Sequence, residues 1–324
     1  MVAVCSRGGS FDDLLRSNNV EVIIIDHSRK LFTLAKAIAK IARLLGRWRP
    51  DVVHAHMMTS AVTVWPLTRL YRIPLITTVH NAFEKTSILM GLGDRVIAVS
   101  QAVRDSMASR GISNVRLRTV LNGTIGSARM PLPPPPPLGL NRPSVVFVGG
   151  LHPRKGIADL ITAFDIARRT FPDVTLYLVG EGPNQHEYEQ LVNDLACSAS
   201  VHFCGSQLDP RPYLRAADIF VLASHFDPAP LVLSEAREAG CAIIASNVDG
   251  IPELLDHGAA GILVPPARPE RIAEELVRLL SDPATLLDYK RRSQNNLQNL
   301  SVQRVGSETV DVYRECMANP GSAK

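Results

Sequence analysis

VVFVGGLHPRKG, residues 145–156, runs from an unbroken apolar stretch into a turn of glycine, proline and basic residues. Residues 156–171 follow at once with helical spacing. An apolar run without polar alternation is a strand buried on both faces, and such strands belong to parallel sheets covered by helices. The same unit recurs downstream, where VTLYLVG, VHFCG, DIFVLAS, CAIIAS and GILVPP alternate with helical patterns at 184–196, 231–239 and 268–281. Upstream, VAVC, VEVIII, DVVHA, PLITTV, RVIAV and VRLRTV alternate with helical patterns at 29–48, 57–70 and 100–110. The fold class is therefore α/β, with two doubly wound Rossmann-type domains whose parallel sheets face a cleft.

Between the two series lies MPLPPPPPLGLNRP, residues 130–143, with five consecutive prolines from Pro133 to Pro137. Proline can neither continue a helix nor join a central strand, so this stretch reads as a stiff polyproline linker. The expected organisation is an N-terminal domain over 1–129, the linker at 130–143, a C-terminal domain over 144–300, and a last segment, 301–324, crossing back as a helix. A length of 324 residues suits two domains.

The composition, 46% apolar and 20% charged, is that of a globular protein, and no apolar run approaches the roughly 20 residues that span a bilayer. MVAVCSRGG lacks the basic start and long apolar stretch of an export signal, so a cytoplasmic protein is expected. Cys5, Cys197, Cys204, Cys241 and Cys316 are odd in number and never spaced C-x-x-C, which predicts reduced, mostly buried thiols. The net charge of +4 conceals an asymmetry: residues 1–143 carry 19 Lys+Arg against 8 Asp+Glu, and residues 144–324 carry 16 against 23. Only the first half, at +11, invites an anionic partner. Aromatic residues make up 5% and do not interleave the basic ones, which argues against nucleic acid.

In doubly wound sheets ligands bind beyond the carboxyl ends of the strands, and polar candidates gather there. They are His54, His56, His80, Ser100, the loop from Gly149 to Gly156, Gly180-Glu181-Gly182, Gly205 and Asp227. In the 145–156 stretch, amide donors at a helix start meet Lys155, which suits a phosphate, although a plain glycine turn with solvated Arg154 and Lys155 fits the stretch equally well. LVGEGP, 178–183, lacks the spaced glycines of a dinucleotide fingerprint, and ligand contact and a simple tight turn both remain open for it. HFDPAPLVLSEAREAG, 225–240, delivers Asp227 to a strand exit and places Glu235 two turns along a helix closed by Gly240. A carboxylate accepting two hydroxyls is a natural sugar clamp, and Glu235 is placed for vicinal hydroxyls such as a ribose pair. Singly, each acid also reads as an ordinary surface or helix-cap residue.

DPAPLVLSEAREAGCAIIASNVDGIPELL resembles the signature of the retaining family 4 glycosyltransferases of the GT-B fold. RPDVVHAH, PLITTVHN, DRVIAVSQAVRD, VLNG, VVFVGGLHPRKG, LVGEGP and YLRAADIFVLAS follow the family order over nearly the whole chain. The resemblance implies transfer of a sugar from a nucleotide-diphosphate donor, held mainly by the C-terminal domain, to an acceptor hydroxyl in polysaccharide, lipopolysaccharide or glycolipid assembly. It implies that Lys155 binds the donor diphosphate with Gly149, Gly150, Arg154 and Gly180 around it, and that Leu231 and Val232 offer amides to the phosphate. It further implies that Glu235 binds the ribose, Asp227 and His80 hold the donor sugar, and Gln207 and Leu208 meet the base. Neither a cofactor nor a metal is expected: D-x-D is missing from the sequence, and His54 and His56 lack a third ligand. Those two histidines read as acceptor-side polar residues or as strand-end histidines.

Three departures from the family pattern stand out. Gly150 occupies the place of an arginine after the first loop glycine, leaving Arg154 as the available substitute. Asp227 and Pro230 stand for a glutamate and a glycine. The N-terminal stretch matches the family's second strand, helix and third strand, so the first strand-helix unit and its glycine-rich loop are expected to be missing from this chain. The alternative to an active transferase is a non-catalytic nucleotide-sugar- or partner-binding relic of the same fold, and a sugar-nucleotide epimerase is a more distant one. Finally, SRKLFTLAKAIAKIARLLGRWR sets Lys36, Lys40, Arg43 and Arg47 on one helix face against Leu34, Ile38, Ile41 and Leu45. That helix either touches an anionic membrane surface or covers the sheet with its basic side wet.

Overall fold

The computed structural model describes residues 3–6, 9, 11–25, 31–128 and 133–318. Residues 29–30 of the first basic helix pattern, 130–132 of the proline stretch and 319–324 of the last segment lie outside them. The chain divides into two compact units, the first formed by Met1–Ala98, Ser106–Arg118 and Thr309–Lys324, the second by Val99–Asp105 and Thr119–Glu308.

In the first unit the order is β1 (Ala3–Ser6), α1 (Asp12–Ser17), β2 (Glu21–Ile24), α2 (Leu31–Trp48), β3 (Val53–Ala55), α3 (Met58–Tyr71), β4 (Leu75–Val79) and β5 (Arg95–Ala98), followed by α4 (Gln101–Ser109) and β6 (Leu117–Thr119). Strands β3, β4, β5 and β6 form one sheet in chain order, while β1 and β2 pair in parallel as a separate two-stranded sheet. Every residue of β4 and β5 is buried, as the absence of polar alternation in LITTV and RVIA requires. Arg95 is the exception in type, and it stays buried with Nη1 donating to the Asp94 carbonyl.

The second unit contains β7 (Ser144–Val148), α5 (Ile157–Arg168), β8 (Thr175–Val179), α6 (Gln185–Asp194), β9 (Val201–Phe203), α7 (Arg211–Ala216), β10 (Ile219–Leu222), α8 (Leu231–Ala239) and β11 (Ala242–Ser246). It continues with α9 (Ile251–Leu254), β12 (Ile262–Val264), α10 (Pro269–Ser281), α11 (Pro283–Ser293) and α12 (Val302–Ala318), the last of which passes into the first unit after Glu308. The six strands are parallel in the order β12-β11-β10-β7-β8-β9, so the direction of winding reverses between β7 and β10. That reversal is where an open α/β sheet leaves a crevice at its carboxyl edge. Phe147, Phe164, Phe220, Leu151, Leu160 and Ile161 fill the core around these two strands without measurable exposure. Asp218 fixes the opposite edge. Burial alone would raise its carboxyl, but hydrogen bonds from Arg142 and the Ser144 N–H, with Lys290 nearby, hold it down at about 2.

Of the proline stretch, residues 133–143 lie along the second unit. Arg215 donates to the carbonyls of Pro134 and Pro135, the Leu138 N–H to that of Pro212, and the Asn141 N–H to the Tyr177 hydroxyl. Cys197, Cys241 and Cys316 are buried free thiols and Cys204 is half-buried.

One buried cation was invisible in the sequence. Arg237, on α8, has no exposed surface; it donates to the carbonyls of Leu254, Ser293 and Asn295 and to the Asp256 carboxylate. It ties α8 to the ends of α9 and α11. Removing it leaves three carbonyls and a carboxylate short of a donor inside the unit. Arg237→Ala is therefore expected to cost about 3 kcal/mol, lowering the Tm of the second unit on the order of 10 °C. A calorimetric trace unchanged from the wild type would refute this role.

Candidate functional site

The loops leaving β7 and β10 meet because Gly156 has no side chain. Its φ is +64°, and a Cβ there would lie 1.9 Å from the Ala223 carbonyl oxygen. Behind Gly156, residues Pro153–Lys155 form a single tight turn, and the Arg154 carbonyl accepts the His225 N–H at 2.8 Å. This clasp carries Lys155 to Asp227: Nζ and Oδ2 are 2.5 Å apart, and both residues are buried. The reading of Lys155 as a solvated turn residue is thereby corrected, because the close approach of the two loops encloses its side chain. Arg154 remains exposed, with Nη1 4.0 Å from Asp227 Oδ1.

Asp227 is held on several sides. Ser224 Oγ donates to Oδ2 at 3.2 Å, and the Asp227 N–H donates to Asp249 Oδ2 at 2.7 Å. Burial and the nearby Asp227 carboxylate push the Asp249 carboxyl upward. His225, next in the loop, hydrogen-bonds Asp159 of α5 at 2.6 Å. Ser224, His225, Asp159 and Asp249 were not legible as site residues, since each earns its place through a partner distant in sequence.

Three residues after Asp227, Pro230 stands before α8 without a side-chain cap on the helix. The first N–H groups of a helix have no partner within it, so Leu231 and Val232 present amide donors and a positive dipole end beside Lys155's loop. Glu235 follows one turn on, half-buried, in the electrostatic field of Arg211. Arg211 is buried at the start of α7 and makes a forked contact with Asp209. Gln207 and Leu208 lie on the exposed loop after β9, with Gln207 Nε2 donating to the Cys204 carbonyl.

The remaining glycines shape the backbone. Gly180, at φ +141°, has room for no Cβ, which would fall 1.9 Å from the Gly149 carbonyl oxygen. The Gly149 N–H donates to Val179 and the Gly180 N–H to Gly205. These two amides are thus engaged by the backbone, where the exits of β7 and β8 approach closely. Gly150 stays half-buried beneath the His152 ring, whose Cδ2 would sit 2.9 Å from a Cβ at that position.

The first unit holds a second cluster. His54 Nε2 bonds Thr78 Oγ1 and His54 Nδ1 bonds the Tyr313 hydroxyl, each at 2.7 Å, so both ring nitrogens are engaged. The His54 and His56 ring centroids are 4.1 Å apart, and His56 Nδ1 lies 3.2 Å from His80 Nε2. His56 and His80 are exposed, and His54 is half-buried. Burial and then the neighbouring imidazoles bring His54 down to about 3, and burial with His80 brings His56 to about 4. His80 is lowered by burial. Among the described residues no group of three or more His, Cys, Asp or Glu is arranged to hold a metal ion.

Comparison with known proteins agrees with two parallel-sheet α/β domains. Residues 2–124 match the family described as Glycosyltransferase Family 4, and residues 142–282 match Glycosyl transferases group 1. The chain is 30% identical to the alpha-maltose-1-phosphate synthase of Mycolicibacterium smegmatis over 94% of its own length and 82% of that protein's. It is 28% identical to the glycogen synthase of Mycobacterium tuberculosis, covering 82% and 69% of the two chains. In structure it is similar to Anabaena HepE solved with UDP-glucose (TM-score 0.80, 22% identity, 97% and 91% covered). It is also similar to a glycosyltransferase from Rickettsia africae (TM-score 0.81, 18% identity, 98% and 90% covered).

The histidine cluster carries a pH dependence whose sign follows from proton counting. Between about pH 4 and the ordinary histidine value of 6.5, the unfolded chain binds protons that folded His54 and His56 refuse. Stability then rises with pH across that window. The Tm of the first unit is expected to fall as pH drops from 6.5 towards 4, and His54→Asn with His56→Asn to flatten the slope. A wild-type slope equal to that of the double variant would remove the cluster as its cause.

Proposed function

The chain belongs to glycosyltransferase family 4 and has the GT-B fold, and from this premise we propose that it is a retaining transferase moving a sugar from a nucleotide-diphosphate donor to an acceptor hydroxyl. The observation that carries the reading is the buried Lys155–Asp227 contact at the point where the second sheet reverses its winding. A diphosphate leaving group gathers negative charge as the glycosidic bond breaks, and a fixed cation beside an uncapped helix N-terminus stabilises that charge before it forms.

Within this proposal residues 144–300 bind the donor, the proline stretch at 130–143 joins them to residues 1–129, and residues 301–324 return to the N-terminal part. Lys155, assisted by Arg154, holds the diphosphate, with Gly149, Gly150 and Gly180 giving the backbone room and Leu231 and Val232 giving amides. Asp227 grips the sugar, Glu235 the ribose, and Gln207 and Leu208 the base. His80 contacts the donor sugar. His56 faces the acceptor, and His54, with both nitrogens engaged, orients its neighbour from below. No metal is assigned a part, because Lys155 and the α8 amides supply the positive potential that a cation would otherwise give.

HepE is described with UDP-glucose, which makes UDP-glucose the first donor to try, followed by ADP- and GDP-sugars. The acceptor is a carbohydrate or a lipid-linked one on the route to a polysaccharide, lipopolysaccharide or glycolipid, presented to a cytoplasmic enzyme. For a lipid-linked acceptor the basic face of α2 provides peripheral contact with an anionic membrane.

A cognate donor should raise the Tm of the wild type and release nucleoside diphosphate. Lys155→Ala should lower turnover by roughly 10²- to 10³-fold. A chelator should leave the rate unchanged. The product linkage, read from the anomeric proton coupling, should keep the configuration of the donor; inversion would refute retention, and binding without turnover across the donor and acceptor panel would refute the transferase.

A further inference from the structure

Helices α2 and α3 pack against one another on the first unit, with Gly46 of α2 close under the Tyr71 ring of α3. Their outward faces differ in character. On α2, Lys36, Lys40, Arg43 and Arg47 are exposed at spacings of four, three and four residues, opposite buried Ala37, Ile41 and Leu45. On α3, Val62, Trp65, Pro66 and Leu70 are exposed opposite buried Ala61, Val64 and Leu67. Leu70 retains 72% of its surface, Val62 42% and Trp65 37%, so three large apolar side chains lie exposed along one side of the helix. Arg69 borders the apolar stripe, paired to Asp94 at 2.8 Å, and Arg72 ends it.

We infer that these two faces form one docking surface for an anionic lipid bilayer, with Trp65, Val62 and Leu70 entering the headgroup region while the α2 cations meet the lipid phosphates. Charge complementarity selects this occupant. Neither helix, 18 and 14 residues long, contains an Asp or Glu, and the chain between them offers only Asp51. A protein partner would have to match an acid-free basic row alongside an apolar ridge, whereas an anionic bilayer presents negative charge above hydrocarbon over its whole area. Both tryptophans of the chain, Trp48 and Trp65, stand on these helices, and indole favours the depth where apolar and wet surroundings meet. Among the described residues no helix is long and apolar enough to cross a membrane, so the geometry is attachment in the plane of the surface. This deepens the α2 contact proposed above and rests on it; the new element is the insertion of α3.

Trp48→Phe leaves Trp65 as the sole indole of the full chain. On phosphatidylcholine vesicles containing phosphatidylglycerol, its emission should shift to the blue and be quenched by lipids brominated in the acyl chain. Pure phosphatidylcholine should produce neither effect. Arg43→Glu with Arg47→Glu should weaken co-sedimentation by at least fivefold per residue, roughly the worth of one basic side chain at such a surface. Trp65→Ser with Leu70→Ser should weaken it by about tenfold through lost apolar burial while leaving the donor-induced Tm shift intact. Should Trp48→Phe fail to fold, the wild-type spectrum minus that of Trp65→Ser gives the same reading. Co-sedimentation without a Trp65 shift would leave α2 attraction alone and overturn the insertion. Absence of co-sedimentation would overturn both. A blue shift that grows with protein concentration in the absence of lipid would mean that a second copy covers the stripe, and would overturn the proposal too.

Discussion

The ion pair between Lys155 and Asp227 is the constraint around which the second unit is arranged. Neither charge is cheap to hold out of water, and a buried pair of this kind adds little net stability over apolar packing of the same volume. Its worth is positional. Each partner fixes the other at the carboxyl edge of the sheet, where the order β10-β7 opens a crevice. The pair exists only because the loops after β7 and β10 touch, and they touch only because residue 156 is a glycine.

Around that contact the structure removes freedom step by step. Ser224 and Asp249 orient Asp227 by its carboxylate and its backbone N–H, while the His225–Asp159 bond ties the loop to α5. Arg237 then anchors α8, so that the helix carrying Glu235 cannot drift from the loop that carries Asp227. For the proposed transfer, a charged leaving group would benefit from dipoles that do not have to reorganise when it departs, and these supports would keep the dipoles still.

The fold was legible because burial on both faces leaves a local mark. LITTV, SVVFV, TLYLV and AIIAS are apolar without alternation, and the strands fall where those runs fall. The end of α8 was equally plain, since Gly240 takes the left-handed conformation that closes a helix. Lys155 and Asp227 could be named as candidates from their places at strand exits, but their contact spans 72 residues and no local pattern encodes it. Arg237 looked like any helix-surface cation, and Tyr313 like any residue of a C-terminal helix. What made them matter was a partner brought in by topology: Ser293 and Leu254 for the one, His54 for the other. The glycines of LVGEGP suggested a ligand and a tight turn with equal force; the Cβ that Gly180 cannot carry gives the physical reason for the glycine there.

The pairing of Lys155 with Asp227 also bears on how a donor enters. Held 2.5 Å apart and buried, the two side chains form an ion pair already in place at the strand exits. A diphosphate bound at Lys155 as proposed would need no new cation to be created; it would take a share of one already in place. Under the proposed binding mode, Asp227 would then give up part of its contact with the lysine and turn acceptor capacity towards sugar hydroxyls. On the proposed reading, one exchange of partners would couple recognition of the phosphate end of the donor to recognition of its sugar end, and a ligand offering only one of the two ends would leave the exchange incomplete.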